Sequence, residues 1–304
     1  TAAAYAPTPA FAGMEKGLSG TNIATNTYGA WHTPGNVWTV KAQMPTPRFG
    51  LAAAAVSGKV YALGGYTAGA RNKNEEYDPA SNAWITKTDM PTARYYFAAA
   101  AAGGKIYAVG GHNGSSYVNI NEEYDPTSNT WSTKAVMPTI RGYLGFAAVG
   151  TKLYAIGGDS GGALNKNEEY DPATNVWTTK AEMTSRRISP TAAGVNGKIY
   201  VIGGDNTGDQ NVNEEYDPGA NTWATKAVMP TPRRQLASGV VGGKIYVVGG
   251  ATGSALNINE EYDPAANTWL TKAVMLSPQN LPAAAAAGGR IYAIGGDNGG
   301  NLNR

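Results

Sequence analysis

The sequence predicts an all-β protein built from six copies of one four-stranded unit. A Gly-Gly pair recurs in steps of 46 residues with one step of 47, beginning at Gly64, Gly110, Gly157, Gly203, Gly249 and Gly295. A tryptophan recurs with the same steps, at Trp38, Trp84, Trp131, Trp177, Trp223 and Trp269. A fixed period of this length indicates a repeat architecture. The 40 glycines and the charged fraction of only 15% suit short strands joined by tight turns.

Each element can be assigned in one copy, residues 92–137. Gly-Gly pairs and an Asp-Pro turn separate four strand candidates: Tyr96 to Ala102, Lys105 to Val109, Asn119 to Tyr124 and Thr130 to Lys134. The first candidate is rich in alanine, which favours helices, but the glycine brackets leave too few residues for a stable helix. Small side chains instead suit strands that crowd together around a central axis.

The turn before each tryptophan is also defined by its residue types. Asp-Pro excludes the helical region for the aspartate, and the asparagine two residues before the tryptophan tolerates the left-handed region. The tyrosine and the tryptophan around this turn supply large apolar areas that we expect to pack between adjacent sheets.

The order of these motifs resembles the kelch repeat over residues 28–304. Each copy runs through Met-Pro-Thr-Pro-Arg or a close variant, a small-residue strand, Gly-Gly-Lys-Ile-Tyr-Ala-Val-Gly-Gly or its counterpart, Glu-Glu-Tyr-Asp-Pro and a tryptophan. This resemblance implies a six-bladed β-propeller with four antiparallel strands in each blade.

The two ends of the repeat predict how the ring closes. The last copy stops at Arg304 before its Glu-Glu-Tyr-Asp-Pro and tryptophan, and the missing half stands near the N-terminus. Counting back from Trp38 puts Trp31 at the tyrosine position and Tyr28 at the start of the third strand. N- and C-terminal strands are therefore expected to share one blade, which removes exposed sheet edges. Residues 1–27 are expected to form an extension outside the propeller at 28–304.

We expect function on the loops at one end of the channel. The kelch resemblance implies that the loops between blades and the loops after the Gly-Gly pairs share one face. An arginine stands in the first set four residues after methionine in five copies, and glutamine replaces it in the sixth: Arg48, Arg94, Arg141, Arg187, Arg233 and Gln279. Five guanidinium groups near one axis would form a funnel for carboxylates, phosphates or sulfates. The alternative is that each arginine bonds neighbouring loops.

Residues that vary between copies complete the candidate site. Tyr96 and Tyr143 stand beside the arginines, and His112, Asp159, Asp205 and Asp297 follow Gly-Gly pairs. Aromatic, asparagine and aspartate side chains suit sugar recognition, although aspartate and asparagine are also ordinary turn residues. The Glu-Glu pairs are expected to be solvated or paired with lysines, with the two side chains on opposite faces of a strand.

Several kinds of site are not expected. The net charge of +2 with interspersed signs gives no case for nucleic acid or an anionic membrane. No apolar run is long enough to cross a membrane. The absence of cysteine excludes disulfides and thiolate sites, and two histidines, His32 and His112, are too few for a histidine-rich metal site. No cofactor motif is present.

These observations favour a non-catalytic binding or scaffold module that holds a carbohydrate or a protein segment at one channel mouth. Export is expected because TAAAYAPTPAFAG, which begins at Thr1, resembles a segment that follows a processing site. One alternative is a sugar-active enzyme like the kelch sialic-acid mutarotases, with Arg141 or Arg187 and Asp159 or Asp205 in the site. Another is a surface or filament subunit that self-assembles.

Overall fold

The computed structural model describes residues 27–32 and 36–298, and they form a closed ring of antiparallel sheets. Five sheets have four strands each, and the sixth has three. The predicted β-propeller and its division into blades are confirmed. The proposed extension at residues 1–27 and the chain end at Arg304 lie outside the described residues, apart from Thr27.

The inner two strands of each blade form a hairpin beside the channel. The first strands are β2 (Ala52–Val56), β6 (Ala98–Ala102), β10 (Gly145–Val149), β14 (Thr191–Val195), β18 (Ala237–Val241) and β22 (Ala283–Ala287). The second strands are β3 (Lys59–Leu63), β7 (Lys105–Val109), β11 (Lys152–Ile156), β15 (Lys198–Ile202), β19 (Lys244–Val248) and β23 (Arg290–Ile294). The alanine-rich segments are strands, as expected.

The outer two strands contain the Glu-Glu-Tyr and tryptophan motifs. The third strands are β4 (Asn74–Asp78), β8 (Asn121–Asp125), β12 (Asn167–Asp171), β16 (Asn213–Asp217) and β20 (Asn259–Asp263). The fourth strands are β5 (Ala83–Thr86), β9 (Thr130–Thr133), β13 (Val176–Thr179), β17 (Thr222–Thr225) and β21 (Thr268–Thr271). The third strand of the second blade therefore begins two residues later than the sequence predicts.

Steric crowding around the axis explains the small residues of the first strands. These strands line a central cavity of about 380 Å³, mostly with alanine residues. A Cβ atom added to Gly194 would lie 2.0 Å from the backbone oxygen of Ala148 in the neighbouring blade. Larger side chains at such contacts would push the blades apart, so burial favours alanine here over residues with higher strand propensity.

Tyrosines and tryptophans pack between adjacent blades, as predicted. Tyr124 of β8 is fully buried against Tyr61 of β3 and Trp131 of β9, at ring-centroid distances of 5.8 and 5.0 Å. The indole Nε1 of Trp131 also donates to the backbone oxygen of Thr88, at the end of the preceding blade. Asn129, at φ 55°, accepts a hydrogen bond from the Tyr124 hydroxyl and another from the Thr88 backbone N–H. This latch fixes each blade to the one before it.

The sixth blade closes the ring with N-terminal residues. Strand β1 (Thr27–His32) pairs with β23, and Trp31 stands opposite Ile291, as the tyrosines of other blades stand opposite the matching residue. A register irregularity between Tyr28 and Ala30 makes Thr27, rather than Tyr28, the partner of Ile294. The position predicted for Trp31 is confirmed, and the start of the third strand is shifted by one residue.

Trp38 completes the cycle of latches between blades. Its Nε1 donates to the backbone oxygen of Ala273 at 2.8 Å, and Asn36 accepts from the Ala273 backbone N–H. Asn36 and Trp38 thus make the contacts that the fourth strand makes in other blades. Residues 36–38 themselves do not form a regular strand. The ring is therefore closed by the same contact that joins every other pair of blades.

Candidate functional site

Two sets of loops meet on one face of the propeller, as the kelch resemblance implies. In every blade, the residue after the arginine position pairs through an isolated β-bridge with the residue after the Gly-Gly pair. The pairs are Phe49–Tyr66, Tyr95–His112, Gly142–Asp159, Ile188–Asp205, Arg234–Ala251 and Asn280–Asp297. This places His112, Asp159, Asp205 and Asp297 on one face with the loops between blades.

The Gly-Gly pairs allow these loops to approach the next blade closely. Gly64 has φ of 55°, and a Cβ atom there would lie 2.6 Å from the backbone oxygen of Arg94. The neighbouring Gly65 N–H donates to that same oxygen at 2.8 Å. A side chain at Gly64 would therefore break the contact that seats one blade against the next.

A closed ring of six backbone hydrogen bonds surrounds the channel at this face. Each residue two places after the arginine position donates its N–H to the carbonyl of its counterpart in the preceding blade, over 2.8–3.4 Å. The six residues are Gly50, Tyr96, Tyr143, Ser189, Gln235 and Leu281, and all have φ between 53° and 60°. We call them the mouth ring. Five of these residues are not glycine, and such residues seldom adopt a positive φ.

A shallow cavity of about 100 Å³ lies inside the mouth ring. The ring residues form its upper tier, and the residue that follows each of them forms an apolar lower tier: Leu51, Phe97, Leu144, Pro190, Leu236 and Pro282. The upper tier differs in every blade except for the two tyrosines, whereas the lower tier is uniformly apolar. The side chains that vary between blades thus belong to the upper tier of the cavity.

The five arginines predicted to form a funnel are buried inside the blades. Arg48, Arg94, Arg141, Arg187 and Arg233 have 0% exposure. Each forms an ion pair with the first glutamate of the Glu-Glu pair in its own blade: Glu75, Glu122, Glu168, Glu214 and Glu260. This corrects the expectation of an arginine funnel at the mouth, and it supports the alternative structural role.

The second blade shows how such a pair is satisfied. The Nη2 atom of Arg94 lies 2.6 Å from Oε2 of Glu122, and the same guanidinium donates to the backbone oxygens of Gly110 and Ala108. The Thr92 hydroxyl donates to the other carboxylate oxygen at 2.8 Å. Burial lowers the pKa of Arg94, and the charge of Glu122 opposes this shift. In this blade, the threonine and the arginine of the Met-Pro-Thr-x-Arg motif thus bind the two carboxylate oxygens of the glutamate on the third strand.

The sixth blade lacks both members of this pair. Gln279 is 4% exposed, and Tyr28 stands at the register position that Glu75 holds in the first blade. Among the described residues, Oε1 of Gln279 and the Ser277 hydroxyl make no hydrogen bond. The break in the arginine series therefore coincides with the loss of the glutamate, so pairing inside the blade explains it without reference to a ligand.

The second glutamate of each pair has a different environment. Glu123 accepts from the Tyr107 hydroxyl at 2.7 Å and pairs with Lys105 and Lys134. Burial opposes ionisation here, but the bonds from Lys105, Tyr107 and Lys134 outweigh it and lower the pKa of Glu123. The predicted lysine pairing and the opposite faces of the two side chains are confirmed, while the first glutamate is paired with arginine instead.

Aromatic side chains cluster over the first three blades of the mouth. Tyr95 is the centre of this aromatic cluster, with ring centroids 5.0 Å from Tyr66, 4.6 Å from Tyr96 and 5.1 Å from His112. Tyr96 stacks on Tyr143 at 4.0 Å. Phe49 and Tyr117 extend the cluster on either side. All seven rings are half-buried, so each keeps part of its surface open to solvent.

Carboxylates border the aromatic cluster and continue around the face. Asp159 accepts a hydrogen bond from the Tyr117 hydroxyl at 2.6 Å and others from the backbone of Gly161 and Gly162. Asp205 and Asp209 share one guanidinium nitrogen of Arg234, at 2.9 and 2.7 Å.

Tyr117 is a site residue that the sequence analysis missed, although a signal was present. The single step of 47 residues arises from one extra residue in the loop after Gly110-Gly111. Tyr117 closes this longer loop by pairing with His112, where the first blade has Ala70 pairing with Tyr66. The irregular step thus marks the loop that carries an additional ring into the mouth.

No group of three or more histidine, cysteine, aspartate or glutamate residues that could hold a metal occurs in the described part of the chain. Within those same residues, no helix is long and apolar enough to cross a membrane.

A protein-family model that matches the chain agrees with the observed fold. A family model described as the KLHDC2/KLHL20/DRC7 Kelch-repeats domain matches the chain over residues 17–204 and again over 145–304. A comparison with curated proteins gives no significant match.

Proposed function

The chain belongs to the kelch-repeat family, and on this premise we propose that it is a non-catalytic binding module that holds a segment of a partner protein at the mouth ring. Kelch propellers are a common binding scaffold and commonly bind proteins. The aromatic cluster is the observation that carries the proposal, because half-exposed tyrosines supply large contact areas with few rotatable bonds.

The scaffold beneath the cluster supports a binding role. Six backbone hydrogen bonds fix the mouth ring, and the latches between blades fix the loops that it joins. Groups that are already ordered lose little conformational entropy on binding, so a rigid mouth favours affinity. The variation among the ring residues Gly50, Tyr96, Ser189, Gln235 and Leu281 makes the face asymmetric, which allows one segment to bind in one orientation.

The geometry favours binding over sugar chemistry. The mutarotase alternative assigned the sugar carboxylate to Arg141 or Arg187, but both guanidinium groups are buried and paired with Glu168 and Glu214. Reaching a ligand at the mouth would require breaking a buried ion pair, which costs several kcal/mol. Carbohydrate binding on the aromatic cluster then remains as an outcome of the test.

A peptide-display selection tests the proposal. Random peptides would be selected on the wild-type protein and counter-selected on the double variant Tyr96→Ala/Tyr143→Ala. We expect peptides that bind the wild type and lose at least tenfold in affinity on this variant, since buried aromatic anchors cost about 2 kcal/mol or more when truncated. Lys198→Ala, at the hairpin end of the fourth blade, is the matched control and should bind normally. Circular dichroism would confirm that each variant folds.

Two results would contradict the proposal. One is a selection in which no enriched peptide depends on Tyr96 and Tyr143. The other is a glycan array in which a sugar binds through these residues while the peptides do not, which would favour the carbohydrate alternative.

Export and self-assembly are separate proposals with their own tests. Fractionation of the source cells with an antibody against the propeller would locate the protein. Sedimentation over a range of concentrations would show whether it forms polymers.

A further inference from the structure

We propose that the segment bound at the mouth carries an arginine or lysine side chain, and that this cation lies on the aromatic cluster between Asp159 and Asp297. The inference rests on the proposed function. The proposed ligand carries a positive charge, whereas the sequence predicted an anionic ligand because the arginines were expected to be exposed.

The mouth surface carries a net negative charge. The mouth surface consists of residues 49–50, 95–96, 142–143, 188–189, 234–235 and 280–281 together with 66–70, 112–117, 159–163, 205–209, 251–255 and 297–298. Its ionisable carboxylates are Asp159, Asp205, Asp209 and Asp297, and its one guanidinium is Arg234, which gives a formal charge of −3. Arg71, whose guanidinium donates to the backbone oxygen of Thr67 on the aromatic half, and Arg186 border these ranges, and including both leaves a formal charge of −1. The five arginines of the series are neutralised inside the blades.

The distribution of this charge favours one half of the mouth. On the half opposite the aromatic cluster, Arg234 donates to both Asp205 and Asp209, so the cation of that half is already shared between two carboxylates. An anionic ligand would have to compete with them. On the aromatic half, Asp159 and Asp297 belong to the third and sixth blades and thus border the cluster on both sides.

The aromatic cluster supplies the second attraction. A guanidinium or ammonium group over the face of a tyrosine is attracted by the negative potential of the ring, by about 0.5–1 kcal/mol at exposed sites. Tyr66, Tyr95, Tyr96 and Tyr143 lie in a continuous chain of ring contacts, between 4.0 and 5.0 Å from centroid to centroid. Burial, and to a smaller extent neighbouring charges that include Asp297, raises the pKa of Tyr96. The Tyr96 phenol therefore stays neutral and keeps its donor hydrogen at physiological pH.

The carboxylate of Asp159 is held in place next to these rings. Asp159 accepts hydrogen bonds from three groups. Its Oδ2 accepts from the Tyr117 hydroxyl, and its Oδ1 accepts from the backbone N–H groups of Gly161 and Gly162. The backbone of Asp297 is held by its bridge to Asn280. A carboxylate whose position is fixed pairs with a cation at a smaller entropic cost than a mobile one.

Nuclear magnetic resonance of the full chain with labelled tyrosine rings tests the inference without a known partner. The probes are N-acetyl-arginine amide, its neutral isostere N-acetyl-citrulline amide and N-acetyl-glutamate amide. We expect the arginine probe to shift the resonances of Tyr95, Tyr96 and Tyr143 and to bind about two- to fivefold more tightly than the citrulline probe. The glutamate probe should bind more weakly than either.

Variants of the same face supply the controls. Asp159→Asn and Asp297→Asn should each weaken the arginine probe and leave the citrulline probe unchanged. Arg234→Gln removes the guanidinium of the mouth surface and should tighten the arginine probe. A ring spectrum that is otherwise unchanged would confirm the fold of each variant.

Equal affinity for the arginine and citrulline probes, or a preference for the glutamate probe, would overturn the inference. Display-selected peptides that bind through Tyr96 and Tyr143 but contain no basic residue would overturn it as well, while leaving the proposed binding role intact. A selection that yields no peptide dependent on these tyrosines would instead contradict the binding role itself.

Discussion

Arg94 donates to Glu122 inside the second blade, with 2.6 Å between Nη2 and Oε2 and side-chain exposures of 0% and 2%. The same pair occurs in five blades, and the blade that lacks the arginine also lacks the glutamate. The most regular charged residues of the sequence thus hold the third strand of five blades to the loop that precedes the first strand of the same blade. The residues that vary between blades lie in the mouth ring and in the loops paired with it.

Breaking one buried pair is expected to destabilise the propeller strongly. Arg94→Ala leaves the Glu122 carboxylate buried without its cation, so the free energy of unfolding should fall by about 3–5 kcal/mol. The double variant Arg94→Met/Glu122→Leu removes both charges and should lose much less. Urea denaturation followed by tryptophan fluorescence measures both.

An exposed pair is the control for that experiment. Lys166 and Glu182 also form an ion pair, but their side chains are 41% and 42% exposed. Lys166→Ala should change stability by at most about 1 kcal/mol. Comparable losses from Lys166→Ala and Arg94→Ala would mean that burial does not determine the contribution of these pairs.

The sixth blade should not tolerate restoration of the arginine. Gln279→Arg would place a guanidinium at a site with 4% exposure, where the register position of the glutamate holds Tyr28. An unpaired buried charge costs several kcal/mol, so we expect a lower melting temperature and poorer folding. Gln279→Met fills the same space without charge and should be close to neutral. A Gln279→Arg variant as stable as the wild type would refute this explanation of the break in the series.

The latch at Trp38 is expected to control closure of the ring. Trp38→Ala removes a side chain that is 5% exposed and should cost about 3–5 kcal/mol. Trp38→Phe keeps most of the apolar area but loses the hydrogen bond to the Ala273 oxygen, so its cost should be about 1–2 kcal/mol. Differential scanning calorimetry distinguishes the two. Equal melting temperatures for Trp38→Ala and the wild type would show that the ring does not depend on this contact.

Alkaline pH should unfold the protein through its buried tyrosines. Burial, followed by smaller effects of neighbouring groups, raises the pKa of Tyr77, Tyr124, Tyr170, Tyr216 and Tyr262 to about 12. Because the native state binds these protons more tightly, the stabilisation is complete below the unfolded pKa of about 10 and is lost as the pH rises towards 12. Unfolding and phenolate absorbance should therefore rise together in this range. A gradual, unshifted titration of all tyrosines in the folded protein would contradict the burial.

The repeat allowed most of the fold to be predicted, because a period of 46 residues fixes which positions are equivalent. It could not show that Arg94 and Glu122 meet, since they lie 28 residues apart and only the pairing of strands brings them together. The residues of the mouth ring were also only partly identified. Serine, glutamine and leucine do not favour a positive φ, so the sequence does not predict it at Ser189, Gln235 and Leu281. Backbone hydrogen bonds to the neighbouring blades hold these three residues in that conformation.

The arginines are buried structural residues, and the ligand proposed for the mouth is a cation on its aromatic cluster. The most direct test is a titration of the wild-type protein with N-acetyl-arginine amide and N-acetyl-glutamate amide, followed through the ring resonances of Tyr96 and Tyr143. We predict saturable shifts with the arginine probe and little change with the glutamate probe. Saturable shifts with the glutamate probe that disappear in Arg141→Met would contradict the claim.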